Sequence, residues 1–164
     1  LAYFFSHGIA AGLSTFTGRN LGAGMEQRAR DAAGAGMRFV SIVTGIYSIF
    51  TFIFAPQIVA LFNSDPGLVV QGTNYVRIVM PVELLQSILM TIEFGAFSGS
   101  GYTKPSFFVS LPIVFLRIPL AWILAVHFGL NANGIWLTIA TTMALNSFIF
   151  MILFKKDNWL KARV

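Results

Sequence analysis

With 164 residues, 56% of them hydrophobic and only 10% charged, and a mean hydropathy of +0.76, this chain cannot clothe a water-facing surface. Globular proteins use roughly a quarter charged residues for that purpose. The formal net charge of +5 is divided among several short connections rather than gathered in one patch, so the expected partner is a lipid bilayer and not a nucleic acid. No cysteine is present, which excludes disulfides, thiol chemistry and thiolate metal sites.

The chain opens inside the apolar run LAYFFSHGIAAGLSTF, without the charged start and small-residue cleavage site of a signal peptide. It reads as a fragment whose first span has lost its beginning and ends near Phe16. Four stretches then reach the roughly 20 residues needed to cross hydrocarbon: Ala33 to Phe54, Tyr75 to Phe97, Ser106 to Val126 and Gly134 to Phe154. The predicted fold is all-α, a polytopic membrane helix bundle of four full transmembrane helices and one truncated.

Orientation follows from Lys and Arg, which are retained on the cytoplasmic side. Arg19, Arg28, Arg30 and Arg38 mark the first connection, Lys104 the third, and Lys155, Lys156, Lys161 and Arg163 the tail. The second connection, APQIVALFNSDPG, and the fourth, HFGLNANG, carry neither residue. The expectation is a multi-pass protein of the plasma membrane with its C-terminus cytoplasmic and His127 outside.

Local signals agree. Asp65 followed by Pro66 suits the N-cap and first turn that start the third span from the outside, and Pro56 ends the second span. GIAAG (Gly8, Gly12) and GAFSG (Gly95, Gly99) place small residues one turn apart, as close helix packing in lipid requires. GRNLGAGMEQRAR lacks the Gly-Lys-Ser/Thr of a phosphate loop and follows no strand, so it reads as a turn. Gly22 and Gly24 give the exit from one helix, and Glu26, Arg28, Arg30 and Asp31 the solvated start of the next. SGSGYTKP, with Gly99 and Gly101, echoes it at the same side.

Ionisable residues inside spans carry more information, because each is costly in hydrocarbon and normally faces a bundle interior or a water-filled cavity. Arg77, Glu83, Glu93 and Arg117 qualify. Arg77 lies near an outer helix end and can snorkel. Glu83 precedes Gly95 by twelve residues and Arg117 follows Pro105 by twelve, so both sit about 18 Å from the cytoplasmic side at 1.5 Å per residue. An ion pair or water-bridged contact between them is expected, beside kinks at Pro81, Pro112 and Pro119. Glu83, Ser87 and Met90 share one face of their helix, and Gln86 and Glu93 another. His7 and His127 have no companion at metal spacing, so no metal site is expected, and Thr44, Tyr47, Gln57, Asn146 and Ser147 are either cavity lining or interhelical hydrogen bonding. No set of nucleophile, base and orienting group is visible, so no catalytic residue or enzyme activity is expected.

At GRNLGAGMEQRARDAAGAG the chain resembles the multidrug and toxic compound extrusion (MATE) transporters. The resemblance continues in family order through LFNSDPGLVVQGTNYVRI, GAFSGSGYTKP, LRIPLAWIL and GIWLTIA, nearly the whole chain. It implies a twelve-helix protein of two six-helix lobes around a central cavity, with residues 1–164 supplying part of the C-terminal lobe and the N-terminal lobe of the same chain as its partner. It further implies an antiporter that exports small organic, often cationic compounds against protons or sodium by alternating access, with no cofactor beyond that coupling ion. The family often has an acid about two turns before GAFSG, where this sequence has Ser87; Glu83 lies one turn further back on the same face. The resulting candidate cation and substrate residues are Glu83, then Glu93, with Ser87, Gln86 and Arg117, and the candidate hinges are Gly22, Gly24, Gly99, Gly101, Pro81, Pro112 and Pro119. A lipid-linked oligosaccharide flippase of the same superfamily and a non-transporting membrane scaffold are the alternatives.

Overall fold

The computed structural model describes residues 2–161. They form α1 (Ala2–Gly22), α2 (Glu26–Ile53), the short α3 (Ala55–Ala60), α4 (Pro66–Met90), α5 (Lys104–Trp122) and α6 (Asn131–Lys155), then a 3-10 turn at Asn158–Lys161. Two helices continue into π-helical segments: α4 into Thr91–Phe97 and α5 into Ile123–His127. Four helices are long and apolar enough to cross a membrane, namely α2, α4 with its π segment, α5 with its π segment, and α6. The protein is a polytopic helical bundle, as the composition demands.

The helices overrun the apolar stretches that announce them. α1 continues through Gly22 rather than stopping near Phe16, because Thr17 and Asn20 are buried and Asn20 Nδ2 donates to the Phe16 carbonyl at 2.7 Å. α2 begins at Glu26, so the arginines of the first connection sit on its opening turns, and its acidic first residue suits the positive end of a helix dipole. α4 starts at Pro66, where the Asp65 carboxylate accepts the Leu68 N–H at 3.0 Å. Pro56 does not itself end α2; the break is at Phe54, and Pro56 opens α3.

Two of the four glycines named from the sequence make the turns. Gly24 (φ +71) and Gly101 (φ +75) adopt the left-handed conformation that glycine tolerates best. Around each, the same pair of bonds closes a Schellman cap: Gly24 N to Leu21 O and Met25 N to Asn20 O, then Gly101 N to Ser98 O and Tyr102 N to Phe97 O. The faint echo between LGAG and SGSG is therefore a repeated turn conformation. Gly22 is the last residue of α1, and Gly99 lies within the helical turn that follows the π segment, so neither forms a turn.

Both turns and the tail meet at one end of the bundle. Arg30 of α2 forms an ion pair with Asp157, and Phe97, Tyr102, Phe150, Phe154 and Trp159 pack as an aromatic cluster with ring separations of 5.2–5.7 Å. Eight Lys and Arg residues, namely Arg19, Arg28, Arg30, Arg38, Lys104, Lys155, Lys156 and Lys161, fall in the described segments that converge there, and Arg163 lies outside the described residues. Arg77 is elsewhere, its guanidinium 5.9 Å from the centre of the Phe52 ring.

Packing inside the bundle uses small residues, but only some of those expected. A Cβ added to Gly95 would come within 2.6 Å of Leu13, and one added to Gly99 would overlap the Ser14 backbone. Gly8 and Gly12 are exposed, and a Cβ at either meets nothing within 4 Å. The GAFSG element thus seats α1 against the end of α4, whereas the two glycines of GIAAG face no neighbour among the described residues.

Candidate functional site

The polar groups buried in the spans divide between two helix contacts. α6 packs against both α4 and α5, and α4 and α5 hardly touch although a short turn joins them. The expected direct ion pair of Glu83 with Arg117 is absent among the described residues. Arg117 instead donates from Nε to the Thr142 hydroxyl of α6 at 2.9 Å, and the ion pair among the described residues is Arg30 with Asp157. A hairpin connection fixes where two helices begin and end, but the third helix that wedges between them decides which side chains meet.

On α6, Thr138, Thr142 and Asn146 follow at four-residue spacing and line one face. Thr138 and Thr142 are each 1% exposed, and both hydroxyls bond back to carbonyls of their own helix. Asn146 Nδ2 lies 3.4 Å from the Ser110 hydroxyl of α5, and its Oδ1 is buried without a partner among the described residues. The sequence pattern contained this stripe, yet Thr142 was not singled out there. Arg117 is half-buried, so the Thr142 bond is one to a charged group, of a kind worth about 1.5–3 kcal/mol. Thr142→Val keeps the volume and removes the acceptor; its expected result is a loss of about that size, read as a lower thermal midpoint in detergent.

The carboxylates lie on α4 and on the π segment that continues it. Glu83 and Gln86 are half-buried on α4, and Ser87 is 1% exposed, its hydroxyl donating to the Leu84 carbonyl at 2.8 Å. The Ser87 carbonyl in turn accepts the Thr91 hydroxyl at 2.9 Å. Glu93 falls inside the π segment, half-buried, with the Ser106 side chain of α5 beside its carboxylate. Its carbonyl accepts both the Ser98 N–H and, at 3.0 Å, the Ser98 hydroxyl. The π segment was not legible from the sequence. Single π turns within α-helices recur at functional sites, and here one holds a carboxylate within a span. Next to Glu93, Phe94 meets the His7 ring of α1 edge-on at 5.5 Å.

The prolines named as helix kinks lie within continuous helix: Pro81 in α4, Pro112 and Pro119 in α5. Each lacks an N–H, so a carbonyl one turn earlier loses its usual donor. Further hydroxyls of Thr44 and Ser48 on α2 and Thr73 on α4 are buried without a partner among the described residues. α4 and its π segment thus carry Glu83, Gln86, Ser87 and Glu93 along one candidate membrane span.

Sequence comparison shows where such a helix belongs. The MatE family model matches residues 1–123. The chain belongs to the MATE family. Among its curated relatives are "Probable multidrug resistance protein NorM" of Thermotoga maritima, 24% identical over 165 residues, covering 100% of this chain and 35% of the relative. "Protein DETOXIFICATION 9" of Arabidopsis thaliana is also 24% identical, covering 100% of this chain and 34% of the relative. "Protein DETOXIFICATION 1" of the same plant is 28% identical over 163 residues, covering 97% and 33%. This MATE chain thus spans about a third of the length of the curated relatives it matches. No solved structure matches it.

Proposed function

We propose that the protein containing this chain is a secondary active exporter, not an enzyme, that moves small organic and often cationic compounds outward in exchange for protons or sodium. Residues 1–164 are part of its C-terminal lobe, facing an N-terminal lobe across a central cavity, and rocking of one lobe against the other gives alternating access. The observation that carries this reading is the placement of Glu83 and Glu93. They are carboxylates inside a candidate span, half-buried, and neither has a basic partner among the described residues. Held in a salt bridge, a carboxylate resists giving up its charge; without one it is free to exchange a cation when its surroundings change.

Membership of the MATE family, and relatives named for multidrug resistance and detoxification, support efflux as the direction. The collection of basic residues at one end supports a cytoplasmic C-terminus, by the retention of Lys and Arg on that side. Arg117 is the one basic residue deep in a span among the described residues, and a single guanidinium offers little positive charge to meet the pyrophosphate of a lipid-linked oligosaccharide.

The test reconstitutes the full-length protein in proteoliposomes and follows a fluorescent lipophilic cation under an imposed proton gradient and, separately, a sodium gradient. Transport is expected under one gradient and not in its absence. Flux indifferent to both gradients, with no solute-dependent movement of either ion, refutes coupled export.

A further inference from the structure

Away from the carboxylates, α2 and α6 form the walls of an apolar groove of about 770 Å³ whose floor is Ile88 and Ile92. Its walls include Ile42 and Ile152, 62% and 57% exposed, and at one end stand Arg38 and Lys155. Both cations are exposed, and neither forms an ion pair among the described residues; Arg38 Nε donates only to the Gly34 carbonyl of its own helix, at 3.3 Å. We propose that this groove holds an anionic phospholipid from the leaflet at the basic end of the bundle, its acyl chain along Ile42, Ile88 and Ile152 and its phosphate between Arg38 and Lys155.

The order of chemistry along the groove carries the assignment. Apart from Ser41, whose hydroxyl donates to the Met37 carbonyl of its own helix, apolar residues occupy its length, and cations stand only at the end that faces the other basic segments, matching the tail-to-head order of a lipid. Basic pockets between transmembrane helices on the cytoplasmic side are suited to anionic headgroups for the same reason. A docked transmembrane helix fits less well, because close helix approach in lipid uses small residues and these walls carry bulky isoleucine side chains. Long Arg and Lys side chains at helix ends also reach naturally to headgroup level.

The experiment equilibrates the full-length protein in detergent with equal amounts of phosphatidylglycerol and phosphatidylcholine and counts retained lipids by native mass spectrometry. Phosphatidylglycerol is expected to be retained in preference. Arg38→Gln and Lys155→Gln should each weaken its retention about fivefold, the effect of one basic residue near an anionic surface. Lys161→Gln, at the same end but outside the groove, should leave it unchanged. An equal loss from Lys161→Gln, or full retention in the Arg38→Gln and Lys155→Gln double variant, overturns the proposal. As a second readout, the added emission of Ile152→Trp should be quenched more by brominated phosphatidylglycerol than by brominated phosphatidylcholine. Quenching by neither lipid means that protein fills the groove, which also overturns it.

Discussion

Glu83→Gln in the full-length protein is expected to abolish gradient-driven efflux while leaving folded yield and thermal midpoint nearly unchanged. Glutamine keeps the shape and hydrogen-bonding capacity of the side chain but cannot take up and release a proton or hold sodium by charge. Because Glu83 is half-buried with no ion-pair partner among the described residues, neutralising it breaks no salt bridge. Removing an ionised group from a span relieves a desolvation cost, so any change in stability should be small and upward. Glu93→Gln is the paired measurement. The π segment is closed through the Glu93 carbonyl, not its carboxylate, so that substitution also preserves the local fold. Both variants therefore report on coupling rather than folding. Loss of gradient-driven transport in Glu93→Gln alone would make Glu93 the coupling acid, and normal transport by Glu83→Gln removes Glu83 from the mechanism.

What the sequence made legible was set by local rules. Span number and order follow from hydropathy, the Asp65 cap from the chemistry of a short acidic side chain, and the Gly24 and Gly101 turns from the need for positive φ. The lateral arrangement was not legible, because a four-residue turn between α4 and α5 says nothing about whether another helix slides between them. α6 does so, and Arg117 consequently meets Thr142 and not Glu83. The Thr138, Thr142 and Asn146 stripe was present in the sequence at helical spacing, but spacing alone names a face and not its partner. The two π segments had no residue signature of their own in the sequence. Gly8 and Gly12 share the spacing of Gly95 and Gly99 but not their surroundings, since periodicity does not reveal which face a neighbour covers.

That last contrast yields the second large effect, a ranking of glycine-to-alanine variants measured as thermal midpoints of the full-length protein in detergent. Gly99→Ala is expected to be the most damaging. Its new Cβ would overlap the Ser14 carbonyl oxygen and lie 2.9 Å from both Ser14 Cα and Thr17 Cβ, while a Cβ on Gly18 across the contact would sit 3.0 Å from the Gly99 oxygen. These obstacles are largely backbone, so no rotamer change clears them and α1 must move away as a unit. Overpacking of this kind costs about 1–3 kcal/mol, occasionally more, against which alanine's better helix propensity returns at most about 1 kcal/mol. Gly95→Ala meets only the Leu13 side chain, which can rotate, and should cost less. At Gly8 nothing lies within 4 Å, so the propensity gain stands unopposed and the variant should be neutral or slightly stabilised. A Gly8→Ala variant as unstable as Gly99→Ala would refute the ranking and the seating of α1 on Gly99 with it. If the ranking holds, the same displacement of α1 carries His7 away from Phe94, next to Glu93, so Gly99→Ala should also impair transport in whatever fraction still folds.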